Sequence, residues 1–516
     1  MTSGLHHVTL ITGKVQANVD FYVGFLGLRL VKRTGGYEDA RQLHLFYGDA
    51  KGSPGSLVTF LVWEDGSPGR VGHGQVSEIA FAVAPAAIGF WLERALRFGV
   101  ASESPSQEFG ETVLRLRDPD GFVVKLVGSA VSGEGWISDG IPPEHRIHRL
   151  RGVTLLSATT EETVHFMIAR TGFVRQGRDG GTERLRSDTG DSLDIRDAGG
   201  FWPGIPGTGT ADHVAVRVPD AARLSNIERE LSRLNSSPTT LHDRQYFVSL
   251  YVREPGGTLI EFATDGPGFT VDEPVETLGT QLFVPPDAQG EADDIRAVLP
   301  QFALPGAERV IYRDLPFVHR FHQPDEPDRS VIVLLHGSGG NETDLMPLAQ
   351  RIAPRATLLG LRGRSTEEGT ARWFRRHAEQ TFDQDDIRFE AGALAAFVEE
   401  ARAAYGLAPE RLVFLGYSNG ANLLAAAMLL HPELARRAIL LRPAAVLEEQ
   451  PITALPGVSL LMLAGADDPH RDLAAPLETA LRRAGADVEA HVIPAGHAPT
   501  EQDRDLAADW LTRHLS

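Results

Sequence analysis

The chain has 516 residues and no cysteine, which excludes disulfides, zinc–thiolate sites and a thiol nucleophile. Hydrophobic residues at 42% and charged residues at 23% are ordinary for globular domains, and the length allows about three or four of them. The formal net charge of -19 disfavours nucleic acid and anionic membrane as partners, because both repel negative surface.

The opening MTSGLHHVTL has no basic segment leading into an apolar one, and no long apolar run follows, so neither a signal peptide nor a membrane span is expected and the default location is the cytoplasm. The first half repeats itself. Four segments open with an alternating strand pattern: HHVTLIT from His6, SEIAFAV from Ser77, RGVTLLSA from Arg151 and DHVAVRV from Asp212. The first leads into an amphipathic stretch at Asn18–Leu26 and the second into one at Ala87–Phe98. Further strands are expected at Leu57–Trp63, Thr112–Arg117 and Tyr246–Val252. Two segments close with matching hairpins, Asp118-Pro119-Asp120-Gly121 before FVVKLV and Glu254-Pro255-Gly256-Gly257 before TLIEFA. Self-similarity at this spacing means repeated modules, read as four βαβββ units paired into two half-open barrels.

Equivalent places in the repeats carry different chemistry. His7 in the first module corresponds to Glu78 in the second, Gly152 in the third and His213 in the fourth, while Glu261 in the fourth stands where the second has Lys125. Modules one and four thus hold His7, His213 and Glu261. Two imidazoles and one carboxylate on one face of a metal, with open positions opposite, mark non-haem Fe(II) oxygenases. If these three share an ion, modules one and four must form one barrel and modules two and three the other. Glu78 and Lys125 are then free to form an ion pair. Tyr251, nearly across the hairpin from Glu261, is placed to reach the site.

LHHVTLITG, DFYVGFLGLRLVKRT and RQYFVSLYVREPGGTLIEFATDGPGFT resemble the vicinal oxygen chelate superfamily, and within it the hydroquinone-type ring-cleaving dioxygenases, from about Leu5 to about Pro300. The resemblance implies iron ligands at His7, His213 and Glu261, and substrate-contacting residues at His6, Arg244 and Tyr251 that orient the substrate oxygen or move protons. It implies Fe(II), with Mn(II) accepted by the same donors, and O2 as co-substrate. Asp212 departs from relatives that carry His there. Two other readings stay open: a glyoxalase-like lyase or thiol transferase on the same scaffold, and a non-catalytic aromatic-binding module.

The stretch Pro285–Gly306 is rich in Pro, Asp and Gln, with a short helix expected at Ile295–Leu299. Boundaries are placed at 1–145 and 146–285 for the two barrel domains, 286–307 for a linker or extension, and 308–516 for a last domain. From Glu308 the pattern becomes strand–loop–helix. Apolar runs at Ser330–Leu335, Arg411–Tyr417 and Val458–Gly465 suit central parallel strands, and helices are expected at Glu390–Tyr405 and Asn422–Leu430, a doubly wound α/β layout.

Gly416-Tyr417-Ser418-Asn419-Gly420 lies between an apolar strand and an apolar helix, the context in which G-x-S-x-G exposes a nucleophilic serine. His497 follows a later strand and is the expected base for Ser418; Asp467 and Asp468 are the candidate acids, also after a strand. The loop His336-Gly337-Ser338-Gly339-Gly340 can present backbone N–H groups to an oxyanion, and the two donors are assigned to Ser338 and Asn419. HGSGGNETDL, GYSNGANL, AGADDP and AGH resemble the phospholipase/carboxylesterase branch of the α/β-hydrolases over Glu308–Ser516, and ARWFRRHAEQTFDQDDI resembles small hydrolases that accompany quinone and hydroquinone detoxification. This resemblance selects Asp468 as the acid and implies ester or thioester hydrolysis. The expected partners are therefore a small aromatic molecule and an ester or thioester; a homo-oligomer is compatible with the sequence.

Overall fold

Alternating apolar residues fold the first 289 residues into two curled sheets of nine and eight strands. The structure, a computed structural model, describes residues 4–37, 39–130, 135–233, 240–307, 315–378, 381–449, 451 and 454–515. It divides into two compact units, Met1–Gln289 with Phe302–Arg309, and Gly290–Gln301 with Val310–Ser516.

The nine-stranded sheet joins the two ends of the N-terminal region. Its middle runs Phe247–Arg253, Leu259–Pro267, Ala211–Val218, Leu5–Thr12, Leu57–Val62. The eight-stranded sheet takes the stretch between, centred on the antiparallel pair Leu150–Ser157 and Gln75–Val83. The boundary expected near residue 145 therefore separates no two bodies: each sheet draws strands from both sides of it. In the eight-stranded sheet, Glu78 Oε2 meets Lys125 Nζ at 2.9 Å and Glu78 Oε1 meets Arg115 Nε at 3.0 Å. Burial works against the Glu78 charge, but these cations outweigh it and lower its pKa to about 2.

Two local expectations change. The stretch 18–26 is an α-helical turn at Val15–Val19 followed by a π-helix at Asp20–Phe25. The wider winding turns Phe21, Tyr22 and Phe25 all inward, where Tyr22 packs on Phe60 with ring centroids 4.6 Å apart. The closing hairpins are held by their leading acids as much as by Pro and Gly. Asp118 Oδ1 accepts from Asp120 N and Phe122 N at 3.0 and 2.8 Å. Glu254 accepts from Gly256 N and Thr258 N at 2.7 and 2.8 Å.

The stretch expected as a linker or extension is shared between the units. Ala292–Val298 is helical and packs Ala297 and Val298 into the core with Met346, Ala349 and Ile352 of the second unit, whereas 302–307 returns to the first, with Ala303 N donating to Gln16 Oε1 at 2.9 Å. The second unit is built on a mostly parallel sheet of seven strands. His319–His322 pairs antiparallel at one edge; the others, including Val331–Leu335, Leu412–Tyr417, Arg437–Leu441 and Ser459–Gly465, run parallel. Their near-continuous apolar runs follow from burial on both faces. Helices Gln384–Tyr405 and Asn419–Leu430 belong to one core cluster, Met346–Ile352 and Glu501–Leu515 to the other. Among the described residues no helix is long and apolar enough to cross a membrane.

Candidate active sites

Strand register brings the first constellation together. His7 pairs with Ala215, Thr9 with His213, and Ala215 with Glu261, so three neighbouring strands aim His7, His213 and Glu261 at one point. Among the described residues they are the group of three whose ligand atoms all fall within metal-holding reach. His7 Nε2 and Glu261 Oε2 are 3.1 Å apart, His213 Nε2 and Glu261 Oε2 2.8 Å, and the two Nε2 atoms 3.3 Å.

The far side of each group is anchored. His6 Nε2 faces the Thr264 carbonyl oxygen at 3.1 Å, so that nitrogen carries the proton. Burial and the neighbouring His7 lower the His6 pKa to about 3, which keeps the ring neutral and leaves its Nδ1 a lone pair. His7 Nδ1–H donates to it at 2.8 Å, and His7 Nε2 keeps its lone pair. His213 Nδ1 meets Asp212 Oδ2 at 2.7 Å, which likewise directs Nε2 inward. The Ser249 hydroxyl donates to Glu261 Oε1, which leaves the buried Glu261 Oε2 facing the two imidazole Nε2 atoms.

Two imidazole nitrogens and a carboxylate oxygen thus converge in a buried place, a cluster that calls for a positive charge, a proton or a metal ion, among them. Burial opposes a charge on His213, but Glu261 and Asp212 outweigh it and raise its pKa to about 9. Burial likewise works against the Glu261 carboxylate, yet His7 and His213 hold it well below its usual range. The donor spacing also fits a metal: three cis ligands at bonds of roughly 2.1 Å and right angles lie about 3.0 Å apart. Anchors of this kind tune affinity, so Ser249→Ala is expected to weaken metal binding roughly 10–100-fold; titration of metal-free protein with a divalent transition metal under argon measures it, and an unchanged affinity would remove Ser249 from the site.

A cavity of about 410 Å³ opens beside these residues, lined also by Asp212, Tyr251, Arg244, His44, Tyr37 and Phe247. Such a volume lies in the range of small-molecule sites, roughly 300–1,000 Å³. Arg244 lies between the rings of Tyr37 and Tyr251, 5.7 and 5.6 Å from their centroids. Burial and then Glu261 raise the Tyr251 pKa far above its usual value, so its hydroxyl stays a proton donor. Arg244 and Tyr251 stand where a ligand would touch them. His6 stands behind His7, with one ring nitrogen against His7 Nδ1 and the other against the Thr264 carbonyl oxygen. Sequence reasoning passed over Ser249, Thr9, whose Oγ1 is 2.9 Å from His213 Nε2, and Asp212 as an anchor. Only alternation along each strand could have hinted at the first two.

The second constellation forms at the carboxyl ends of the parallel strands. Ser418 has φ of +50°, the strained turn that lifts its side chain off the strand. Gly420 permits that turn, since a Cβ there would collide with the Leu335 carbonyl oxygen. Ser418 Oγ lies 2.9 Å from His497 Nε2, and His497 Nδ1 lies 2.9 Å from Asp468 Oδ2. Asp468 is buried while Asp467 is exposed. Burial disfavours the Asp468 charge, but the His470 amide and His497 outweigh it and hold its pKa below the usual range. The relay can take a proton from the serine hydroxyl and stabilise the resulting imidazolium.

Asn419 opens the helix Asn419–Leu430, so its amide N–H has no carbonyl inside the helix to bond and is available to an oxyanion. Gly337 lies against Tyr417 and Ser418, which brings the Ser338 loop to the same place. Trp373, within the segment matched only by resemblance, ties the two together. Its backbone N–H donates to Asn419 Oδ1 and its indole N–H to the His336 carbonyl, each at 2.8 Å.

Residues 4–126 match the Glyoxalase/Bleomycin resistance protein/Dioxygenase superfamily, and residues 318–514 match the Phospholipase/Carboxylesterase family. The chain is 36% identical over 288 residues to a Bacillus subtilis protein named "Putative ring-cleaving dioxygenase MhqO", covering 55% of this chain and 91% of that one. It is 33% identical to the chlorohydroquinone/hydroquinone 1,2-dioxygenase of Sphingobium indicum, covering 57% of this chain and 94% of that one. Over 183 residues, 35% of this chain, it is 33% identical to the Bacillus subtilis "Putative hydrolase MhqD", 92% of which is covered. The chain accordingly belongs to the glyoxalase/dioxygenase superfamily through its first unit and to the phospholipase/carboxylesterase family through its second, a fusion of a ring-cleaving-dioxygenase relative with a carboxylesterase-type hydrolase.

Proposed function

We propose that this chain is a bifunctional enzyme: an Fe(II)- and O2-dependent dioxygenase that cleaves a hydroquinone- or catechol-type ring, and a serine hydrolase acting on an ester or thioester, both in the cytoplasm. The observation that carries the first half is the mutual spacing of 2.8, 3.1 and 3.3 Å among His213, Glu261 and His7. The name of the Sphingobium relative supports the hydroquinone class. In this reading the repeats are four modules in two barrels, of which the first-and-fourth pair holds the ion.

An iron ion bound there supplies the redox chemistry that lets O2 react with an aromatic diol, and Mn(II) fits the same donors. The residues do the rest. His6, Asp212 and Ser249 hold the three ligands in one tautomer and orientation. Tyr251 donates a hydrogen bond to an oxygen of the ring substrate, and Arg244 favours its ionised form. In the hydrolase His497 takes the Ser418 proton as the hydroxyl attacks the acyl carbon, Asp468 holds the imidazole, and the amides of Ser338 and Asn419 receive the oxyanion. Fusion in one chain motivates sequential use, the hydrolase acting on an activated or esterified cleavage product or unmasking an esterified phenol.

Anaerobic loading with Fe(II), followed by oxygen uptake on a panel of hydroquinones and catechols with product identification, tests the dioxygenase. Uptake with an acyclic product is expected. An iron-loaded protein that consumes no oxygen on any of them, or one that isomerises a thiol adduct instead, overturns it.

A further inference from the structure

We propose that Arg442, paired with Asp503, is a positioning residue of the hydrolase that fixes the loop carrying His497, so that the imidazole stays in line with Ser418. The inference rests on the serine-hydrolase reading of Ser418, Asp468 and His497.

Arg442 directly follows the strand Arg437–Leu441, with its backbone in the left-handed region at φ of +52° and its amide donating to the Leu463 carbonyl at 2.8 Å. Its side chain turns inward to Asp503, and neither side chain has any solvent exposure. A guanidinium has five N–H donors in a fixed fork, and all five are used. NH1 donates to Asp503 Oδ1 at 2.7 Å and to the Leu463 carbonyl at 3.2 Å. NH2 donates to Asp503 Oδ2 at 2.9 Å and to the Ala498 carbonyl at 3.2 Å. Nε donates to the Gly496 carbonyl at 2.8 Å.

Two of these acceptors flank the catalytic histidine. The carbonyl between them, that of His497 itself, accepts from Tyr417 OH at 3.2 Å, and Tyr417 precedes the nucleophile. Three consecutive carbonyls are thus pinned to groups on the two strands nearest Ser418. Asp503 closes the other end: its Oδ2 accepts from Thr500 N at 2.7 Å and Thr500 Oγ1 at 2.9 Å, fixing the start of the helix Glu501–Leu515. The whole bend from Gly496 to Asp503 is therefore referred to one guanidinium.

The chemistry explains why a charge pair sits there. Burying two full charges costs more than burying apolar residues of the same volume, so stability alone does not call for it. An apolar pair would pack as well, but it could not direct carbonyls. Loops drift unless tied down, and a proton transfer between Ser418 and His497 tolerates little drift: a misplacement of about 1 Å costs roughly 100-fold in rate.

The test replaces both charges together, Arg442→Met with Asp503→Leu in the full chain, so that no lone buried charge remains. Thermal unfolding, p-nitrophenyl butyrate kinetics and the rate of Ser418 labelling by a fluorophosphonate are measured. The expected result is a kcat lower by roughly 30–100-fold, KM within about twofold, serine labelling slowed by the same factor as kcat, and a retained unfolding transition. A folded double variant with kcat within about threefold of the parent, or a loss confined to KM, overturns the proposal. If the double variant does not fold, Arg442→Lys decides: it keeps the charge against Asp503 but gives up the fork, so kcat is expected to fall at least about fivefold, and parental kcat overturns the proposal. A parent chain that hydrolyses no ester overturns the hydrolase reading and this one together; an active parent with an equally active variant sinks this one alone.

Discussion

Replacing His213 with alanine is expected to abolish iron-dependent oxygen uptake while ester hydrolysis continues at the parental rate. His213 Nε2 stands 2.8 Å from Glu261 Oε2 and 3.3 Å from His7 Nε2, so its loss leaves two donors for the ion, one neutral and one anionic. Losing a mere supporting partner of a ligand typically costs 10–100-fold in metal affinity. Losing the ligand itself should therefore cost at least about 100-fold, and iron should be removed by gel filtration from the variant but not from the parent.

The fold should survive this change. Asp212, the partner left behind, has a side chain about one-third exposed at 34%, so water can solvate its carboxylate. Glu261 retains Ser249 and His7. The comparison variant Glu261→Gln keeps the volume and removes the only ligand charge; it should lose iron as well. Full iron content and parental oxygen uptake in His213→Ala would mean that the ion, if any, is held elsewhere, and the ring-cleavage reading of this cavity would fall with it.

The convergence of His7, His213 and Glu261 was legible because the chain repeats. Aligning His7, Glu78, Gly152 and His213, and then Lys125 with Glu261, contrasts a place that can hold a cation with one that already contains its own: Lys125 in the eight-stranded sheet meets Glu78 at 2.9 Å. What supports the ligands was not legible, because it depends on register. The strand Leu5–Thr12 is irregular between Leu5 and His7 and again between Thr9 and Leu10. Each irregularity changes which face a side chain takes, and neither leaves a mark in the alternation of apolar residues.

The junction between the units misled for a different reason. Pro, Asp and Gln between residues 285 and 306 describe an exposed strip, yet Ala297 is fully buried in the second unit. The short apolar helix expected near Ile295 is there, at Ala292–Val298, but a helix expected from apolar spacing does not say which core receives it. Strand–turn–helix context picked out Ser418 and His497 but left Asp467 and Asp468 both open until the family resemblance chose between them, whereas the bonds of Trp373 and Arg442 run largely to backbone carbonyls, which any sequence possesses.

The second large effect is expected from Ser418→Ala: kcat for p-nitrophenyl esters falls by roughly 10⁴- to 10⁶-fold, with oxygen uptake on hydroquinones unchanged. The change removes one oxygen at a position whose φ of +50° is already strained for any side chain, so the backbone gains no new conflict. In the proposed mechanism the amides of Ser338 and Asn419 remain to stabilise an oxyanion generated by water; such remnants sustain a rate roughly a thousandfold above solution. Asp468→Asn should cost less, about 10⁴-fold, because His497 keeps its 2.9 Å contact to Ser418 but loses the partner that fixes its tautomer. The ordering matters more than either value, since a relay predicts that the serine and histidine variants are equally impaired and that combining them adds little. Substantial ester hydrolysis in Ser418→Ala would place the activity elsewhere, and its sensitivity to iron removal by chelators would then reveal whether the ion in the other unit performs it.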